Sequence, residues 1–483
     1  MSRLIVGPFN RVEGDVEVKL DIVDGVVSEA RVVSSLYRGF ERILLGKNPD
    51  DALVYSPRIC GICSVSQSVA AAHALAAAQG LDMPPNGRTA INLIHAAENV
   101  ADHLTHFYLF FMPDFARKVY ADEPWHAAAL QRFQAIKGDA SRDVLPARAQ
   151  FMHLMGILTG KWPHTLGIRP GGSTRAVTAN EVARISGILS AFRGFLERKL
   201  YGDDLERIIS IASIDELSAW AAERPATSSD FRHYLEISSH LGLNKLGQIS
   251  PLFMSYGAYG NGEAALFPRG IRDADEVRTL NAELIHEDSS HAWYVPAPKP
   301  KAPFDGATLP DIDQTDGYSW CKAPRLGGSV MEVGALARQA IAQHPLIDDL
   351  VRIGGSNVHA RIVARLLEIA CVVLEMQNWA WQLEPDESFC DHGTMPRDAI
   401  GVGLTEAARG SLGHWLKVEN GKIANYQIIA PTTWNFSPRD SENKPGALEQ
   451  ALEGAPVRPG ETEPIAVQHV VRSFDPCLVC TVH

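Results

Sequence analysis

Apolar and polar side chains alternate from Val16 to Val23, an Asp24-Gly25 step follows, and Val26 to Val33 is again rich in valine. Two half-buried strands joined by a tight turn produce that pattern, because successive side chains of a strand point to opposite faces. A second signal of the same kind lies near the other end, where Trp415 to Val418 and Ile423 to Ile429 flank Glu419-Asn420-Gly421. With Asn420-Gly421 as a two-residue turn, Glu419 pairs with Lys422, Gly413 falls opposite Ile428, and Arg409 is held beside the end of the ladder. Between the hairpins apolar residues recur at spacings of three and four over Ser64 to Gln79, Thr89 to Phe111, Asn180 to Leu205, Met331 to Gln343 and Asn357 to Leu383, which predicts helices. Pro- and Gly-rich stretches at Trp293 to Asp313 and Gly454 to Pro464 read as surface loops. The expected class is therefore mainly α with small β-hairpins and sheets (α+β). No repeat, low-complexity segment or composition shift divides the chain, so residues 1–483 are expected to form one large domain.

Charge narrows the partners. Lys and Arg number 45 against 57 Asp and Glu, a net charge of −12, and no basic run offers a footprint for nucleic-acid phosphates. The alanine-rich stretch from Val69 to Ala78 is too short to span a bilayer, and Met1 to Pro8 has no extended apolar signal core, so a cytoplasmic chain without a membrane span is expected. The 7 cysteines are too few for a disulfide scaffold and odd in number, which favours a reducing compartment or a metal site.

Four of those cysteines form two C-x-x-C pairs, Cys60-Gly61-Ile62-Cys63 and Cys477-Leu478-Val479-Cys480, at opposite ends of the chain. That spacing lets both thiolates of a pair reach one metal from a single turn. Zinc ribbons close two such pairs over roughly 15–20 residues because the metal is their core, and a chain of this length needs no such staple. A functional metal centre assembled from both extremities is one reading; structural zinc or a thiol redox motif are the others. A helix starting near Ser64 follows the first pair, and Asp475-Pro476, just ahead of Cys477, reads as a cap with a first-turn proline. Helix N-termini would lower the thiol pKa values. Cys321, Cys371 and Cys390 show no pair spacing, and Cys371 reads as packing on an apolar helix.

Arg58-Ile59-Cys60-Gly61-Ile62-Cys63 and the terminal Asp475-Pro476-Cys477-Leu478-Val479-Cys480-Thr481-Val482-His483 resemble the two signature motifs of nickel–iron hydrogenase large subunits. Arg11-Val12-Glu13-Gly14, Arg38-Gly39-Phe40-Glu41, Asp102 to Tyr108, Ala408 to Trp415 and Pro431 to Asn435 match in family order and extend the resemblance over nearly the whole chain. It implies that Cys60 and Cys477 bind nickel terminally, while Cys63 and Cys480 bridge to an iron carrying carbon monoxide and cyanide. Dihydrogen is a very weak acid, so its cleavage needs a metal to take the electron pair and a nearby base, here the Cys477 thiolate, to take the proton. Glu13 resembles the next proton acceptor, and Arg409, flanked by Asp102 and Asp475, the arginine above the open metal position. Glu41, His483 and the backbone carbonyl of Ile428 resemble the ligands of a magnesium or similar ion. Outside this context Glu13 would read as a turn carboxylate beside Arg11, Arg409 and its partners as surface pairs, and His483 as a free terminus.

The family usually places histidine where this chain has Gln67, which can hydrogen-bond near the cluster but cannot titrate. The hydrogen-sensing regulatory members also carry glutamine there and lack a tail after the final histidine, as this sequence does. Ile62 and Phe110 match the bulkier side chains that narrow the inner gas channel in that group, with Phe111 a competing candidate. The resemblance thus implies the catalytic subunit of a cytoplasmic hydrogen sensor, splitting H2 into protons and electrons. No spare cysteine set remains for iron–sulfur clusters, so an iron–sulfur small subunit is required, as a heterodimer or a dimer of heterodimers, with a histidine kinase as signalling partner. The alternatives are an energy-conserving uptake hydrogenase with a respiratory acceptor, a structural zinc protein with a four-cysteine site, or a hydrogenase-like subunit that has lost its nickel.

Overall fold

The computed structural model describes residues 2–250, 252–260 and 265–483. At its centre the helices Pro85–Thr105 and Val358–Gln382 pack against one another, both buried along most of their length. Pro85 supplies a first-turn proline, and the Asn357 side chain caps the second helix by accepting the Ala360 N–H at 2.9 Å. The predicted Asn357–Leu383 and Ser64–Gln79 helices are found within a residue of their expected ends. Three others are corrected. The helix expected over Thr89 to Phe111 begins at Pro85 and changes to a π-helical turn at His106–Phe111. Ala179–Phe195 likewise runs into a π-helical turn at Leu196–Tyr201, and Gly202 (φ 66°) ends it before a new helix starts at Leu205. Met331–Glu332 is a short strand parallel to Leu252–Ser255, and helix resumes at Ala335 after Gly334, whose φ of 136° no helix accommodates.

The N-terminal strands Ser2–Val6, Val16–Val23 and Val26–Ser34 form an antiparallel sheet in sequence order, with Val16, Val18 and Leu20 buried on one face as the alternation predicts. The C-terminal sheet has three strands, Ala399–Ala407, Gly410–Glu419 and Lys422–Ile429. Its first strand was not predicted. Glu419 pairs with Lys422 as expected, but a register shift between Lys417 and Val418 sets Gly413 opposite Ile429 and His414 opposite Ile428. Arg409 therefore lies not beside that ladder but in the tight turn where Ala407 pairs with Gly410.

The Ser64–Gln79 helix lies directly on the unpredicted strand. A Cβ at Gly403 would sit 1.9 Å from the Ala70 carbonyl oxygen and one at Gly401 2.0 Å from that of Ala74, so only glycine permits the contact. Gly403→Ala is expected to destabilise the fold by about 3 kcal/mol, the upper end of overpacking costs. The measurement is the urea midpoint, which should fall at unchanged slope. An unchanged midpoint would mean that the helix does not seat there.

Of the predicted loops, 454–464 is irregular and hydrogen-bonds to the N-terminal hairpin, Val27 N to Ala455 O at 3.0 Å. The 293–313 stretch is not purely surface, since Thr308 is buried against Glu41. Among the described residues no helix is long and apolar enough to cross a membrane.

Candidate metal centre

The two ends of the chain meet where the Ser64–Gln79 helix begins. Cys63 is its N-cap, and Cys477 is the N-cap of the short helix Leu478–Thr481. This corrects the expectation that Asp475 caps it: Asp475 adopts φ 56° and turns its carboxylate towards Arg409 instead. The Cys477 N–H donates to the Thr432 hydroxyl at 3.1 Å. All four sulfurs of the two pairs are buried and lie within 4.8 Å of one another. Cys60 Sγ is 3.5 Å from Cys477 Sγ, and Cys63 Sγ is 3.0 Å from Cys480 Sγ. These are not disulfides, whose sulfurs stand roughly 2.05 Å apart.

The neighbouring thiols, Cys477 foremost, push the Cys60 thiol well down and the Cys63 thiol well up, so the sulfurs share protons among themselves. Four buried thiolates would need a cation among them. An all-sulfur donor set without carboxylate or imidazole fits a soft or borderline metal such as nickel. Cys321, Cys371 and Cys390 lie outside the cluster, and Cys371, half-buried, packs against the hydrophobic core as expected.

The Arg11–Gly14 segment runs alongside the second pair. Glu13 N–H donates to Pro476 O at 3.3 Å, and Leu478 N–H donates to Glu13 O at 2.7 Å, which sets Glu13 opposite Cys477. Arg11 does not pair with Glu13: it donates to the Phe110 carbonyl at 3.0 Å and pairs with Asp114. Burial first, and then Cys60, raise the Glu13 carboxyl above the usual carboxylate range, with Arg409 and Arg38 opposing.

Arg409 is buried, not a surface residue. Its Nη2 donates to Asp102 at 3.2 Å and to Asp475 at 3.1 Å, and its Nε donates to the Asp475 carbonyl at 2.8 Å. Burial opposes charge on both carboxyls. It carries Asp102 up to about 7 in spite of Arg409, whereas Arg409, His106 and Arg365 together keep Asp475 low.

Gln67 sits one turn past Cys63, fully buried, its Nε2 3.9 Å from Cys480 Sγ. Its Oε1 is 2.9 Å from His414 Nε2, and His414 Nδ1 is 2.8 Å from the Tyr426 hydroxyl. Burial holds His414 neutral, at about 3, so it donates from Nε2 to Gln67 and accepts from Tyr426 at Nδ1. Ile62 and Phe110 are half-buried, while Phe111 is fully buried.

Glu41 and His483 also meet. Glu41 Oε1 accepts the Ile428 N–H at 2.8 Å and lies 3.2 Å from His483 Nε2, and His483 Nδ1 donates to the Cys480 carbonyl at 2.8 Å. They border a cavity of about 10 Å³, the size of one water, with Ile428, Glu287 and Lys322 among the lining. Lys322 Nζ reaches Glu287 at 3.3 Å, Gln427 at 2.9 Å and Glu41 at 3.7 Å. Carboxylates and one imidazole round a water-sized cavity suit a small hard cation, and Lys322 adds its own positive charge to the pocket. Sequence reasoning missed Lys322 and Glu287, which carry no spacing signal.

A family model described as nickel-dependent hydrogenase matches residues 38–143 and 141–483. The uptake hydrogenase large subunit of Rhodobacter capsulatus is 28% identical over 100% of this chain and 95% of its own length. The hydrogenase-2 large chain of Escherichia coli K12 is 26% identical over 100% and 97%. The structure of the reduced Ni-Fe-Se hydrogenase from Desulfomicrobium baculatum superposes with a TM-score of 0.86 at 28% identity, covering 100% of both chains.

Proposed function

The chain belongs to the nickel-dependent hydrogenase family, and from that premise we propose that it is the H2-oxidising large subunit of a cytoplasmic, hydrogen-sensing nickel–iron hydrogenase. The observation that carries the chemistry is the convergence of four buried sulfurs from both ends of the chain. Cys60 and Cys477 would hold nickel alone, and Cys63 and Cys480 would hold nickel together with the iron that carries carbon monoxide and cyanide. When bound, this centre supplies the electrophilic, redox-active position at which H2 splits heterolytically into two protons and two electrons.

The chain's own residues then manage charge. Cys477 Sγ takes the first proton and passes it to the Glu13 carboxylate, whose pKa, raised by burial and by Cys60, makes it a better proton acceptor than an ordinary carboxylate. Arg409, kept charged by Asp102 and Asp475, polarises the substrate region. Glu41, His483 and the Ile428 carbonyl would hold a magnesium-like ion, tying the C-terminus down behind Cys480. Electrons leave to an iron–sulfur small subunit, since no other cysteine group exists among the described residues.

Sensing is supported by Gln67, a non-titrating amide beside Cys480, and by the bulk of Ile62 and Phe110 at the proposed gas channel. A histidine kinase would read the signal. The names of relatives such as the uptake hydrogenase large subunit of Rhodobacter capsulatus favour the second reading, an uptake enzyme.

Metal analysis and infrared spectroscopy of the purified complex test the centre: nickel with iron, and absorption from bound carbon monoxide and cyanide, are expected. Zinc without nickel would overturn it. Slow turnover with artificial acceptors is expected of a sensor, and fast turnover would decide for uptake.

A further inference from the structure

We propose that Arg338 is a positioning residue for Arg409, a second buried guanidinium that aims the first without itself reaching the sulfur cluster. The inference rests on the reading of Arg409 as acting at the metal centre. Arg338, on the helix Ala335–Ile341, is buried. Its Nη1 donates to the Ala407 carbonyl at 2.9 Å and its Nη2 to the Ala408 carbonyl at 3.0 Å, the two residues immediately before Arg409. Nε and Nη2 donate to Glu368 at 3.0 and 2.7 Å, and Nη1 donates to Glu406 at 2.8 Å. All five guanidinium N–H groups are thereby used. An ion pair alone would need fewer; the two spent on carbonyls fix a turn.

These contacts close into a ring. Glu368 Oε1 also lies 3.1 Å from His103 Nε2, and His103 follows Asp102, the carboxylate that holds Arg409. From Arg409 the path runs to Asp102, one peptide on to His103, then to Glu368, Arg338 and Ala408, and one peptide back to Arg409. The helix that carries Asp102 and the turn that carries Arg409 are thus locked to each other through Arg338. Burial opposes charge on Glu368, yet Arg338 and His103 hold it at about 2, so the Arg338–Glu368 pair stays ionised. The backbone is built for the same contact: a Cβ at Gly410 (φ 130°) would lie 2.7 Å from Gly334 N, and Gly334 starts the Arg338 helix. A lysine in place of Arg338 keeps the charge but, with three donors on one point, cannot span two carboxylates and two carbonyls.

In the purified complex, Arg338→Lys is expected to retain nickel while H2 oxidation falls at least tenfold. Arg409→Lys should cost at least as much. In that background Arg338→Lys should cost less than a further twofold, because an effect exerted through Arg409 cannot be lost twice. A crystal structure of Arg338→Lys should show the Arg409 guanidinium displaced from Asp475. Glu368→Gln, a milder cut in the same ring, should lower turnover at least threefold, again only where Arg409 is present. Undiminished turnover, losses that repeat in the Arg409→Lys background, or failure of both ring variants to retain nickel would overturn the proposal. Unchanged turnover in Arg409→Lys itself would instead sink the reading of Arg409.

Discussion

Replacing Cys477 with serine is expected to strip the purified complex of nickel, to below about a tenth of the wild-type content, and to abolish H2 oxidation. Serine is nearly the size of cysteine, and the local backbone has its own anchors: Cys477 N–H on Thr432, and Leu478 N–H on the Glu13 carbonyl. The fold should therefore survive. What goes is a soft thiolate, replaced by a hard, protonated hydroxyl that a nickel site of four sulfurs does not accept in its stead. The same substitution removes the proposed first proton acceptor. Cys371→Ser, outside the cluster on the Val358–Gln382 helix, is the control and should keep both metal and turnover. Elemental analysis and acceptor-linked turnover on the two variants read the outcome. Full nickel and full turnover in Cys477→Ser would remove the basis for a four-sulfur centre.

Local signals were legible and long-range ones were not. The Val16–Val23 hairpin and the Ser64–Gln79 helix stand where periodicity puts them, because each is specified by its own neighbours in sequence. The strand Ala399–Ala407 escaped because Gly401 and Gly403 dilute its apolar alternation. Those glycines answer to a helix more than three hundred residues earlier, a demand invisible in their own segment. The one-residue slip at Gly413 comes from an irregularity at Lys417/Val418 that no turn rule reveals. The cysteine pairs were legible from spacing, and the resemblance supplied Glu13, Asp102, Arg409 and Asp475, which the fold gathers around them. Lys322, Glu287, Arg338 and Glu368 were missed for one shared reason. A buried charge is stabilised by whichever partners the tertiary fold delivers, and its sequence neighbours, such as the alanines and leucine flanking Arg338, look like ordinary helix packing.

Glu13→Gln is expected to lower H2 oxidation by about 10²–10⁴-fold, the usual worth of a positioned proton-transfer group, while leaving nickel content unchanged. The amide has the shape of the carboxylate, and the Glu13 backbone bonds to Pro476 and Leu478 do not involve the side chain, so the segment beside Cys477 should keep its place. Only the ability to take up a proton disappears. The sign of the pH dependence follows from the direction of the shift. Burial and Cys60 raise the Glu13 pKa above the ordinary 4.5, and a carboxyl that is already protonated cannot accept. Wild-type turnover should therefore fall as pH drops through a value above 4.5. That acid limb should vanish from the residual activity of the glutamine variant. Exchange of H2 with solvent deuterium should fall in parallel with turnover, because both require the proton to leave the cysteine cluster. Glu13→Asp, which keeps a carboxyl on a shorter stem, should recover part of the loss. If the glutamine variant turned over at the wild-type rate with an unaltered acid limb, the proton would have to leave Cys477 by another route.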